Sequence, residues 1–149
     1  MKARNITPPV YLLLAIAAMV LLHFLFPGIK FIVFPWKLLG VLPLAIGIII
    51  NLIADKTFKE HTTTVKPLEA STLLITTGVF GITRNPMYLG FVLILLGIAI
   101  LQGSLTPYVI VLVFVIFIDI VFIKYEEKKL EGTFGQAWLE YRKKVRRWI

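Results

Sequence analysis

The sequence contains no cysteine, so disulfides, thiolate nucleophiles and cysteine-ligated metals are excluded within this chain. Histidine is nearly as scarce. His23 and His61 stand alone, and two isolated imidazoles do not make a metal site, so no metal is expected. Charged residues are only 16% of the chain, and acidic ones number 8 against 16 basic. No G-x-G-x-x-G follows a strand and no βαβ alternation occurs, which excludes a soluble α/β nucleotide-binding fold. Internal repeats and linker-like stretches are missing too, so residues 1–149 are expected to form a single domain.

Apolar sequence fills the space left by these absences. The chain is 58% hydrophobic over 149 residues, with a mean hydropathy of +0.89. A soluble domain of this size cannot bury so much apolar surface. Four runs approach the roughly 20 apolar residues that cross a bilayer: 9–26, 38–54, 87–104 and 105–123. Lys2 and Arg4 precede the first run, but no small-residue cleavage site follows it and Phe24 to Pro27 is bulky, so it is expected to remain as a helix. The predicted fold class is all-α and integral to the membrane, with four transmembrane helices plus a C-terminal interfacial amphipathic helix.

The basic residues set the orientation. Lys2 and Arg4, then Lys56, Lys59, Lys66 and Arg84, then eight Lys or Arg after Ile123 flank the runs, which places these three regions on the cytoplasmic side. Lys30 and Lys37 dissent modestly, whereas Gln102-Gly103-Ser104 is uncharged and suits the far side. A prokaryotic cytoplasmic membrane with both termini inside is the expected location. The net charge of +8 follows helix ends instead of forming a soluble basic face. Membrane lipids are therefore the expected partners, not nucleic acid. Oligomeric state is not legible.

Residues 55–86 form the cytoplasmic loop in this scheme, longer than packed helices need and hence functional in character. Its end, Thr83-Arg84-Asn85-Pro86, reads as a helix start, with Asn85 as N-cap, Pro86 in the first turn and a set of unpaired N–H groups beside Arg84 that suits an anion. In the tail, 124–149, Leu130, Phe134, Trp138, Tyr141, Val145 and Trp148 recur at helical spacing. Gly132 and Gly135 are expected to divide that stripe into an extension of the fourth helix and an amphipathic helix lying on the membrane. Asp119, an ionisable residue inside the fourth run, is a functional candidate by default. It either points into a site as a substrate contact or base, or reaches water or pairs with a loop Lys at the cytoplasmic edge.

Two stretches carry most of the polar chemistry: Gly78, Phe80, Arg84, Asn85, Pro86, Tyr88 and Gly90, then Glu126, Glu127, Leu130, Phe134, Gly135, Trp138, Tyr141 and Val145. With the patterns G-x-[YF]-x-x-x-R-[HN]-P-x-Y-x-G and E-E-x-x-L-x-x-x-F-G-x-x-[YW]-x-x-Y-x-x-x-V, they resemble the isoprenylcysteine carboxyl methyltransferase and phospholipid methyltransferase superfamily of membrane enzymes. The resemblance implies S-adenosylmethionine as methyl donor, S-adenosylhomocysteine as product, and a cytoplasmic pocket built by the last two spans, the preceding loop and the tail. Carried over by motif position, the cofactor-binding residues are Thr72, Leu73, Leu74, Ile75, Gly78, Phe80, Asn85, Pro86, Met87, Tyr88 and Glu126. Arg84, Glu127 and Asp119 are the catalytic candidates. The sequence departs from the pattern at Asn85, a histidine in many members, and at Phe122, aligned with an arginine linked to substrate in the prenylcysteine enzymes.

The side chains support the same donor on chemical grounds. Its carboxylate, ammonium, sulfonium and flat purine need an anion site, a carboxylate and aromatic walls. Arg84 with the Pro86 helix start, Glu126 or Glu127, and Phe80 with Tyr88 supply these. The expected acceptor is a small lipophilic molecule or lipid. A prenylcysteine protein substrate is the second reading, and a noncatalytic ligand-binding or assembly module that keeps the fold is the third.

Overall fold

A computed structural model describes residues 7–60 and 73–149, and within them the chain is helical, without a strand. Helix α1 is Pro8–Leu25, and its prolines fall in the first turn, where a missing N–H is harmless. A short 3₁₀ turn, Trp36–Gly40, runs directly into α2, Val41–Glu60. A second 3₁₀ turn, Gly78–Gly81, precedes α3, Pro86–Gln102. Gly103 ends α3 in the left-handed conformation with its N–H on the Ala99 carbonyl. Next comes α4, Thr106–Ile118, which continues through a π turn, Asp119–Ile123, into α5, Lys124–Phe134. Gly135, at φ +51, breaks that rod before α6, Gln136–Lys144.

Three of these helical stretches are long and apolar enough to cross a membrane: Pro8–Leu25, Trp36–Glu60 and Thr106–Phe134. The fourth apolar helix, Pro86–Gln102, is shorter, at 17 residues. Large side chains such as Leu13, Phe24, Ile49, Leu52, Leu112 and Ile116 point outward and stay exposed, as a lipid-facing surface requires. Inside, Met19, Leu95, Ala99, Phe114 and Ile118 make the main core.

Among the described elements, α2 and α3 pack most extensively. Glycines permit it. A Cβ at Gly47 would stand 2.5 Å from the Gly90 carbonyl oxygen, and one at Gly97 would stand 2.6 Å from that of Gly40, so the two backbones approach where no side chain fits. At one end of the bundle the turns are tied together. Thr106 Oγ1 donates to the Phe26 carbonyl at 2.5 Å, the Phe31 and Ile32 N–H groups donate to Gly103, and His23 Nδ1 meets Ser104 Oγ at 2.7 Å. The opposite end holds the start of α1, the end of α2, the start of α3 and all of α5 and α6.

Three expectations are corrected at that end. The supposed loop from residue 55 begins as helix, because α2 runs on to Glu60 with Lys59–Asp55 and Lys56–Glu60 pairs one turn apart. Gly132 lies within α5 and only Gly135 breaks it. The stripe of the tail helix also faces protein instead of lying on lipid. Trp138, Tyr141 and Val145 are buried against Leu74, Leu130 and Phe134.

Candidate functional site

The site grows from the start of α3. Thr83 and Asn85 are buried, and the turn between them is organised by the far end of the chain. Arg84 donates its backbone N–H to the Arg146 carbonyl at 3.0 Å, while Thr83 Oγ1 and Asn85 Nδ2 donate to the Arg147 carbonyl at 3.1 and 3.0 Å. The Asn85 side chain therefore makes no N-cap bond, contrary to expectation, because it spends its amide on the C-terminal segment.

This fold-back carries Arg84 inward. Its side chain is 7% exposed, its Nη2 lies 3.1 Å from Glu127 Oε1, and its guanidinium stands 5.5 Å from the Trp138 ring centroid. Burial draws the Arg84 pKa below its ordinary value while the Glu127 carboxylate opposes that shift. Nε and Nη1 are buried without a hydrogen-bond partner, as is Trp138 Nε1. Buried donors left unpaired in a folded chain call for a ligand or another explanation.

The second motif sits opposite. The apolar run of the long helix ends at Ile123, and the charged turn that follows delivers Glu126 and Glu127 from α5. Glu127 is buried and takes both Arg84 and Arg147, whereas Glu126 accepts the Tyr88 hydroxyl at 2.6 Å. Burial pushes the Glu126 carboxyl up to about 7, against the Tyr88 hydrogen bond and Lys129, which favour its charged form. Tyr141 donates its hydroxyl to the Phe80 carbonyl at 2.6 Å, locking α6 onto the loop. Burial raises that phenol to about 12 although Arg84 pulls it down, so it remains a donor at neutral pH.

A cavity of about 430 Å³ lies between these elements, within the range of cofactor and small-molecule sites. Its walls bring together Leu73, Leu74, Ile75, Phe80, Arg84, Asn85, Pro86, Met87, Tyr88, Glu126 and Glu127, the predicted loop, helix-start and acidic residues. Two others fall outside it, and a third cannot be assigned to either side. Gly78 opens the 3₁₀ turn without lining the cavity and Asp119 is held by Arg147 at 3.2 Å, whereas Thr72 lies outside the described residues. Asp119 thus takes the pairing alternative, with an arginine of the tail as partner. No cluster of metal-ligating side chains exists among the described residues.

Sequence reasoning missed two kinds of contributor. Pro8, Pro9, Asp55 and Phe58 line the cavity from α1 and α2, which the motifs do not touch. Arg147 had no distinguishing mark among the basic residues of the tail. Trp138 stands in the sequence as a member of the tail's amphipathic stripe, yet it lines the cavity and faces Arg84. Its place in the second motif was the available signal.

Over 63 residues the chain is 38% identical to an uncharacterized protein of Haemophilus influenzae, a match that takes in 42% of this chain and all of the other. In fold it is similar to the eukaryotic intramembrane Ras methyltransferase ICMT, an isoprenylcysteine carboxyl methyltransferase, with a TM-score of 0.69, 23% identity and coverage of 95% of this chain. The chain spans about half the length of that enzyme, 52%. Residues 36–137 match the phospholipid methyltransferase family, a stretch that includes the Arg84 turn, the Tyr88 helix and both glutamates. With more than half its length matched and both motifs gathered at one cavity, the chain belongs to the phospholipid methyltransferase family of membrane proteins.

Proposed function

We propose that the chain is a single integral-membrane unit of four spans that moves a methyl group from S-adenosylmethionine to a small lipophilic or lipid acceptor at the cytoplasmic membrane face. The observation that carries this is the lining of one cavity. Unpaired buried donors on Arg84 and Trp138, a carboxylate at Glu126, and the rings of Phe80 and Tyr88 meet there. They match the donor's carboxylate, ammonium, sulfonium and purine in chemical type.

When bound, S-adenosylmethionine supplies an electrophilic methyl carbon for in-line displacement. The protein's work is then to bind, orient and exclude water. Arg84 holds the anionic end, and Glu126 receives the ammonium. Leu73, Ile75, Phe80 and Met87 keep the reacting centre dry. Glu127, already shared by two guanidinium groups, fixes Arg84 in place and has no free edge for proton transfer. The acceptor enters sideways from the bilayer, between helices. Phe122, 2% exposed within the core, offers no cation at the position that the prenylcysteine enzymes fill with arginine, which favours a small acceptor over a protein one.

Titration calorimetry on detergent-purified protein tests the donor half. Wild type is expected to bind S-adenosylmethionine and S-adenosylhomocysteine saturably, and Arg84→Ala to lose at least about tenfold in affinity. Absence of binding by a folded, monodisperse wild type would instead support the noncatalytic module.

A further inference from the structure

Arg84 is a paradox as it stands. It is buried beside a carboxylate with two oxygens to offer, yet only its Nη2 is paired, and Nε and Nη1 have no partner. A lone buried Arg–carboxylate pair normally closes into a two-pronged fork. The reason for the gap is Arg147. Arg147 presents that fork to Glu127 itself, Nε to Oε1 at 3.1 Å and Nη2 to Oε2 at 2.5 Å, and its Nη1 reaches Asp119 at 3.2 Å. Glu127 is left with one shared oxygen for Arg84.

We infer that Arg147 is a positioning residue which, by saturating Glu127, keeps the two unpaired donors of Arg84, Nε and Nη1, available for an anionic group of the ligand. Two arginines and two acids, Arg84, Arg147, Glu127 and Asp119, make a charge-balanced set, so the arrangement adds no net charge to the cavity wall. Asp119 has a role in it that does not require contact with ligand: it anchors the far side of the Arg147 guanidinium. The backbone carbonyl of Arg147 also receives Thr83 and Asn85. One residue therefore sets both the turn that carries Arg84 and the carboxylate that restrains it. Without the Arg147 side chain, Glu127 is expected to close its fork on Arg84 through Nη2 and one neighbouring nitrogen, withdrawing one of the two free donors.

The inference rests on the donor-binding reading above, and the test separates the two. Affinities of S-adenosylmethionine and of its decarboxylated analogue, which lacks only the carboxylate, are measured for wild type, Arg147→Gln, Arg147→Lys and the double variant Arg147→Gln with Glu127→Gln. Folding is followed by thermal melting. Arg147→Gln is expected to weaken S-adenosylmethionine about tenfold and leave the decarboxylated analogue unchanged. Arg147→Lys, which keeps the charge but loses the fork, falls between, and it decides the matter on the same criterion if the glutamine variant does not fold. The double variant should bind S-adenosylmethionine more tightly than Arg147→Gln alone, since no carboxylate remains to recapture Arg84. Equal weakening of both ligands, or of neither, overturns the positioning role. Failure of wild type to bind either ligand overturns the donor reading instead.

Discussion

Glu126 and Glu127 are neighbours in sequence with opposite surroundings. Glu127 lies between two guanidinium groups, while Glu126 has a phenol and a carboxyl pKa raised to about 7 by burial. Ligand binding should register the difference. An ammonium group prefers the ionised carboxylate, so binding below pH 7 must first expel a proton from Glu126. Affinity for S-adenosylmethionine is expected to fall by up to about tenfold per pH unit below 7 and to level off above it. Glu126→Gln should bind more weakly at pH 8 and show a flat profile between pH 5.5 and 8 while melting as wild type does. An unchanged slope in that variant assigns the titration to another group. The Arg84 and glutamate constellation was legible in the sequence because both motifs have fixed internal spacing beside recognisable helix ends. Arg147 was not, because partner choice among the tail's many basic residues is decided by where the chain folds back.

At the scale of elements, glycine placement governs the bundle. Gly47 and Gly97 sit where a methyl group would strike the backbone of the facing helix, and helical backbone cannot step aside as a side chain can. Gly47→Ala and Gly97→Ala are each expected to cost about 1–3 kcal/mol and to lower the thermal midpoint in detergent. Gly132→Ala is the counterpart. Gly132 is exposed in α5 with nothing within 4 Å, so alanine there should add up to about 1 kcal/mol through helix propensity. The helices themselves were readable from apolar run length, and the Pro86 start from its own chemistry. The extension of α2 to Glu60 was hidden by its polar composition, although the Asp55–Lys59 and Lys56–Glu60 spacings carried the signal. The burial side of α6 was not readable at all, since an amphipathic stripe does not say whether lipid or protein covers it.

For the whole molecule, the basic flanks predict a single orientation, and the absence of cysteine makes it easy to check. A lone cysteine at Lys30, by the tied turns, is expected to react with a membrane-impermeant maleimide on intact cells. A lone cysteine at Lys128, in α5, should react only after permeabilisation. The reverse pattern inverts the topology and moves the cavity to the other face. The site lies at the end of the bundle where the start of α3 meets the continuation of α4.

That continuation has a mechanical meaning. From Thr106 to Phe134 no loop intervenes, only the π turn at Asp119–Ile123, so the bearing of the two glutamates is geared to the rotation of the span below them. A π turn accommodates one residue more than the α-helix it replaces, and one residue is worth about 100° of rotation at 3.6 residues per turn. The extra residue works as a phase setting. Removing it would leave two sound helical halves joined end to end, with the acids swung to a different compass point.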